Sequence, residues 1–264
     1  MTDHDLDLKT LVAAAAIREA GRLARRFVER RVELTVELKG AQDMVSIAAR
    51  EVEELVRARL SAAFPEDGLV GEEGEAAGPA AAEGCWVIDP LDGTMNFLRG
   101  VPYWSVVIAY VRGGETVIGL TYDPVHDDLF AARKGGGAFR NGEPIRVSGT
   151  SDPGQAVIGH TFSFKLEVAP YVRTLANLLE AGVDHRRLGS TALMLCHVAD
   201  GRLDGVVTLR ASSWDVIAGL ILVREAGGLT REFLDHAGLM DPGSAYACTP
   251  GLAATIEQAS GLRA

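Results

Sequence analysis

Cys85-Trp86-Val87-Ile88-Asp89-Pro90-Leu91-Asp92-Gly93-Thr94-Met95-Asn96-Phe97 reads as an apolar strand that runs directly into two carboxylates and a glycine-led helix start. Pro90 biases Asp89 toward an extended conformation and turns the chain after it. Asp89, the Leu91 carbonyl and Asp92 can then face one point, a fork of hard oxygen donors suited to a divalent cation. Gly93 lets the backbone approach closely, and the Gly93 and Thr94 amides at a helix opening attract anionic oxygens. Taken alone, a D-x-x-D pair reads first as turn and helix-cap acids, and the longer run around it reverses that reading.

Two further acidic motifs belong beside this run. Gly71-Glu72-Glu73 follows the apolar pair Leu69-Val70, so two carboxylates stand at a strand end, where they either join a metal cluster or line a solvated loop. Trp214-Asp215, with Ala218-Gly219 a turn later, puts an acid at the start of an apolar helix, where the macrodipole also favours one.

Outward from these motifs the periodicity changes twice. Leu8 to about Arg31 has helical spacing, with Leu8, Leu11, Val12, Ala15, Ala16, Ala20, Leu23 and Phe27 on one side. A β-like run, Val32 to Lys39, precedes a second helix from about Ser46 to Phe64, striped by Val52, Leu55, Val56 and Leu60 and closed by Pro65 and Gly68. Cys85–Asp89, Ser105–Tyr110, Thr116–Asp123 and Asp128–Lys134 read as strands between turns such as Gly113-Gly114 and Asn141-Gly142, which predicts helices on a mainly antiparallel sheet over residues 1–147. Residues 148–264 alternate: strand Val157–Gly159, helix Pro170–Ala181, strand Arg186–Leu188, helix Thr191–Ala199, strand Gly205–Thr208, helix Trp214–Glu225. That predicts a more parallel α/β half, the two halves forming one compact unit. The small-residue stretch Gly74–Gly84 reads as a surface loop.

Composition narrows the function classes. With 47% hydrophobic and 23% charged residues over 264 positions, the chain can bury a large core without disulfides. A formal charge of −10 disfavours nucleic acid and anionic membranes as partners. It also repels a phosphorylated ligand unless cations gather where the acids do. Cys85, Cys196 and Cys248 make neither a CxxC pair nor a zinc spacing. Met1–Asp7 lacks the basic and apolar regions of a signal peptide. The greasy run Val216–Val223 is far short of the roughly 20 residues of a membrane span. A reduced, cytoplasmic setting is expected.

The G-E-E of Gly71–Glu73, the D-P-L-D-G-T-x-N-F of Asp89–Phe97 and the W-D-x-x-A-G of Trp214–Gly219, in this order and approximate spacing, resemble the inositol monophosphatase family, part of the magnesium-dependent, lithium-sensitive phosphatases that include fructose-1,6-bisphosphatases. The resemblance runs over nearly the whole chain. It implies a layered α-β-α-β-α sandwich and hydrolysis of a small phosphorylated metabolite with two to three magnesium ions. Asp89 would bridge two ions, Glu72 and the Leu91 carbonyl completing one and Asp92 and Asp215 the other. Glu72, Asp92 and Thr94 would carry the catalytic step, with Gly93 and Thr94 on the phosphate. The resemblance also implies a homodimer and inhibition by lithium.

One position departs from the pattern. In Lys39-Gly40-Ala41-Gln42-Asp43-Met44-Val45-Ser46-Ile47-Ala48-Ala49, Lys39 and Asp43 match but Ala49 stands where the family has an acid, which implies slower catalysis. By the same resemblance Gly189, Ser190 and Thr191 would lie along the leaving group. Thr208 or Arg210 falls where inositol-specific members carry an acid, and Arg210 or Lys165 could instead meet a second anionic group. Inositol monophosphate, histidinol phosphate and a sugar bisphosphate therefore all remain open as substrates. A non-catalytic binding protein of the same fold is the rival class. His160, His185 and His197 are given no role.

Overall fold

The computed structural model describes residues 2–29, 36–38, 44–79 and 82–263. Helices α1 (Asp3–Glu29) and α2 (Ile47–Ala63) open the chain, with the antiparallel pair β1 (Val36–Leu38) and β2 (Met44–Ser46) between them. Only the Val36–Leu38 part of the expected Val32–Lys39 strand falls among the described residues, and Lys39 and Asp43 lie outside them.

A seven-stranded sheet follows in chain order: β3 (Gly68–Gly71), β4 (Gly84–Asp92), β5 (Ser105–Arg112), β6 (Glu115–Asp123), β7 (Asp128–Arg133), β8 (Gly137–Arg140) and β9 (Glu143–Pro144), with the short α3 (Thr94–Arg99) after β4. Among the described residues β3 and β4 pair in parallel and every later pair is antiparallel, as the short glycine turns require.

The remainder alternates β10 (Val157–Thr161), α4 (Val168–Glu180), β11 (Asp184–Arg186), α5 (Thr191–Ala199), β12 (Gly205–Ala211) and α6 (Ser213–Glu225), then β13 (Leu229–Thr230), β14 (Gly243–Cys248) and α7 (Ala253–Ser260). In the second sheet, ordered β11-β10-β12-β14-β13, the first three strands are parallel and β14 is antiparallel to both of its neighbours. The helical crossovers α4 and α5 give the parallel pairs, whereas β14 arrives through an irregular segment free of that constraint.

Stacked, these elements make a layered α-β-α-β-α sandwich. The helices α1 and α2 cover one face of the first sheet, where Ala13, Ile17, Val52 and Val56 pack with Trp86, Ile88, Val106 and Ile108. Helices α5 and α6 fill the space between the sheets: Leu195, Val216, Ile217 and Ile221 meet Val87, Val107 and Ala109 on one side and Val206, Ala245 and Ala247 on the other. The outer layer is α4 and α7, where Leu178 and Ile256 meet Ile158 and Tyr246. Strand residues alternate between faces, which is why β4 and β5 are apolar almost without interruption.

The buried face of α1 is rotated from the expected one. Leu6, Lys9, Ala13, Ala16, Ile17, Ala20, Gly21 and Ala24 are buried, while Leu8 is 49% and Leu11 68% exposed. Close approach decides it: a Cβ on Gly21 would stand 2.4 Å from the Tyr122 ring of β6, so the small-residue face must turn inward. Lys9 follows by ion-pairing with Asp67, which also accepts from Trp86 Nε1 (2.9 Å) and the Tyr110 hydroxyl (2.8 Å).

Candidate metal centre

Asp89 and Val87 share one face of β4, and Val87 belongs to the core built with α5 and α6. The Asp89 carboxylate is thereby aimed into the middle helical layer. Beyond it the register with β5 shifts between Asp89 and Asp92, the bulge that Pro90, lacking an N–H, makes necessary. The turn is held internally: Leu91 N donates to Asp89 Oδ1 (2.9 Å) and the Thr94 hydroxyl to the Leu91 carbonyl (2.9 Å). Gly93 has φ 89°, and a Cβ there would lie 3.1 Å from the Tyr103 carbonyl and 3.2 Å from that of Gly189, so the position is closed to other residues on both counts.

Two helix N-termini meet the strand end. Asp92 accepts from Thr191 N (3.2 Å) and Ala192 N (2.9 Å) at the start of α5, and from the hydroxyl of Ser190, which itself caps that helix through Leu193 N (3.2 Å). Asp215, in the first turn of α6, accepts from Ser212 N (2.8 Å). The cap role and the cluster role open in the sequence are thus filled by the same side chains.

The result is three carboxylates, Asp89, Asp92 and Asp215, each offering an oxygen within 4.8 Å of the others. Glu72 follows β3, its amide donating to the Ile88 carbonyl (3.2 Å), and is not one of that triplet. Burial foremost, then the charges of Glu72, Asp92 and Asp215, push the Asp89 carboxyl well above its ordinary range. Burial pushes Asp92 up to about 6, against the downward pull of the hydrogen bonds from Ser190, Ala192 and Thr191. Buried carboxylates that resist ionising together need a compensating cation, and an all-oxygen donor set selects a hard one. The residues present fit a divalent ion such as magnesium.

Of the remaining expected site residues, Ser190 and Thr191 touch the cluster, through Asp92. Gly189 (φ 89°) and Thr191 flank the buried Ser190 on the loop into α5. Arg210 is half-buried in the bulge that ends β12, five residues before Asp215, and its guanidinium has no ion-pair partner among the described residues. Lys165 is exposed after β10. Burial, with Arg202 adding to it for His197 and His185 for His160, holds both of these rings down to about 4, so they are neutral packing groups. Ala49 is buried in α2.

Two further residues act on the site without an expectation from sequence. Asn96 Nδ2 donates to the carbonyls of Tyr103 (2.8 Å) and Leu188 (2.9 Å), tying α3 to the loop before Ser190. Its place inside the D-P-L-D-G-T-x-N-F run was the available signal. Glu53, a buried acid in the apolar stripe of α2, accepts from Glu73 N and Gly74 N, both at 2.9 Å. An acid where the stripe needs an apolar residue was its signal.

The sandwich with a carboxylate cluster at the ends of β4, α5 and α6 defines the sugar-phosphatase fold. The family model described as Inositol monophosphatase family matches residues 5–258. An inositol-1-monophosphatase of Mesorhizobium japonicum is 39% identical over 249 residues, covering 91% of each chain, and the Nus factor SuhB of Pasteurella multocida is 36% identical, covering 93% of this chain and 92% of its own. The crystal structure of the extragenic suppressor protein suhB from Bartonella henselae superimposes with a TM-score of 0.87 at 34% identity, covering 94% of this chain and 96% of that one. The chain belongs to the inositol monophosphatase family and is a phosphatase of that family by descent. No described helix is long and apolar enough to cross a membrane.

Proposed function

We propose that this chain is a magnesium-dependent phosphomonoesterase acting on a small phosphorylated metabolite of the inositol monophosphate kind. The observation that carries the proposal is the convergence of Asp89, Asp92 and Asp215 within 4.8 Å at two helix N-termini. Asp89, Asp92, Asp215, Glu72 and the Leu91 carbonyl would hold two to three cations. When bound, these would supply charge neutralisation on the phosphoryl group and acidification of a water.

The protein's own part is positioning, the larger share of catalysis in phosphoryl transfer. The Thr94 hydroxyl commits its proton to the Leu91 carbonyl, so its lone pairs are free to accept a hydrogen bond from the attacking water and orient it. The Gly93 and Thr94 amides face the phosphate. Gly189, Ser190, Thr191 and Arg210 border the alcohol half. Of these the Ser190 hydroxyl is engaged with Asp92, so it serves the site by fixing that carboxylate. Half-buried and without an ion-pair partner among the described residues, Arg210 supports a substrate with a second anionic group, which keeps sugar bisphosphates and histidinol phosphate as alternatives.

We further propose a cytoplasmic homodimer, sensitive to lithium, in which residues 1–147 and 148–264 form one catalytic unit. On α4, Val168 (61% exposed), Val172 (51%) and Leu179 (55%) share one face, with Leu175 between them. Two copies of that stripe packed antiparallel about a two-fold axis put Val168 against Leu179 and Val172 against Leu175, a self-complementary pairing. A second reading, a partner-binding protein of this fold, is favoured by the relative named Nus factor SuhB.

The separating experiment presents inositol 1-phosphate, histidinol phosphate, fructose 1,6-bisphosphate and a 3′-phosphonucleotide side by side, with and without magnesium. Magnesium-dependent phosphate release from one of them supports the enzyme, and none from any favours the partner-binding reading.

A further inference from the structure

We infer that Glu53 is a positioning residue for the metal centre, acting through the turn that carries Glu72; the inference rests on the magnesium reading above. Glu53 is 2% exposed, on the same face of α2 as Val52, Val56 and Leu60, where an acid is costly unless its oxygens are fully engaged. They are engaged by the backbone of one short segment. Oε2 accepts from Glu73 N (2.9 Å), while Oε1 accepts from Gly74 N (2.9 Å) and from Arg57 Nε (2.7 Å) one helical turn on.

The segment is shaped around this carboxylate. A Cβ on Gly71 would lie 2.3 Å from Glu53 Oε1, and one on Gly74 would lie 2.8 Å from the same atom, so both ends of Gly71-Glu72-Glu73-Gly74 are bare where the acid enters. On its other side the segment is pinned to β4 by Glu72 N donating to the Ile88 carbonyl, one residue before Asp89. Glu72 is therefore clamped between the strand that delivers Asp89 and the α2 carboxylate.

The chemistry requires a carboxylate in this place. Three N–H donors converge on two oxygens, and an ionised acid accepts all three, with the Arg57 bond charge-assisted. A glutamine of the same shape would turn an NH2 group toward at least one of those donors and release one end of the turn. Ala49 lies one turn earlier on the same buried face. Helix α2 therefore keeps an acid that acts on the site through backbone.

The test is Glu53→Gln, measured with amide hydrogen exchange, magnesium titration calorimetry and urea unfolding. The expected results are faster exchange at the Glu73 and Gly74 amides and magnesium binding weakened about 10–100-fold, the usual effect of removing a group that orients a ligand. In a Glu72→Gln background the same change should leave magnesium affinity unmoved, because the residue it acts through has lost its charge. Glu53→Asp, which keeps the charge with a shorter reach, should recover part of the loss. Should Glu53→Gln unfold the protein, Gly74→Ala applies the same displacement from the opposite side and should give the same two effects. Unchanged magnesium affinity in Glu53→Gln, or an undiminished loss in the Glu72→Gln background, would overturn the inference. Wild-type protein that binds no magnesium would sink the metal reading and this consequence with it, an outcome told apart by the wild-type titration alone.

Discussion

The Ser190 hydroxyl donates to the Asp92 carboxylate across 98 positions of sequence, joining the end of β4 to the start of α5. Asp92 also takes two amides of that helix, so Ser190 decides which way its oxygens face. Ser190→Ala should leave the fold intact and weaken magnesium binding about 10–100-fold, read by calorimetry. An unchanged titration would mean that the helix amides alone orient Asp92.

Asn96 contributes through backbone it holds. Removing its amide leaves the Tyr103 and Leu188 carbonyls without this donor and loosens the loop into α5. Asn96→Ala should lower stability by about 1 kcal/mol, from two part-buried carbonyls left without this donor. The urea midpoint should fall at constant slope; a midpoint equal to wild type would make the tether incidental.

His160 sets part of the acid limit of the fold. The ring is fully buried, stacks on Tyr171 at 4.2 Å between centroids, and neither of its nitrogens has a hydrogen-bond partner among the described residues. Burial first, and His185 second, bring its pKa from 6.5 down to about 4. The unfolded chain therefore takes up this proton before the folded one does, so stability is full above pH 6.5 and is lost as pH falls from there toward 4, at up to about 1.4 kcal/mol per pH unit. His160→Phe should flatten the acid limb of a plot of unfolding free energy against pH. An unaltered limb would place the acid sensitivity elsewhere.

Much of this architecture was readable from residue pattern. The β4 motif announced a strand, a turn and a helix start, and the alternation from Val87 to Asp89 places one carboxylate in the middle layer. The helical spacing of α5 and α6 was equally legible because both are apolar nearly all round, as helices between two sheets must be. The face of α1 was not, since Leu8 and Leu11 outweigh Ala13 and Gly21 in any hydrophobic count while only the small residues fit against Tyr122. Strand β14 escaped for a similar reason: Ser244-Ala245-Tyr246-Ala247-Cys248 has little β-branched character, and its pairing with β12 is a tertiary choice. The joining of Asp92 to Ser190, and of Glu53 to Gly74, depends on contacts between distant segments that no local pattern encodes.

Ala49 is expected to limit the rate. It occupies a buried position of α2 one turn before Glu53, where the sequence resemblance implies an acid. Ala49→Asp should raise turnover at saturating magnesium, by up to the roughly 10–100-fold attached to outer-shell carboxylates. Steady-state kinetics at fixed magnesium reads this directly, and a rate that stays level or falls would show that the site has adapted to alanine.

On the proposed reading, Asp89, Asp92 and Asp215 gather cations to cleave a phosphate ester. Phosphate release from inositol 1-phosphate, followed as magnesium is titrated into wild type and Asp92→Asn, tests it most directly. Release should rise from none to saturation with magnesium in wild type and vanish in the variant. Release independent of magnesium, or equal in the two proteins, would contradict it.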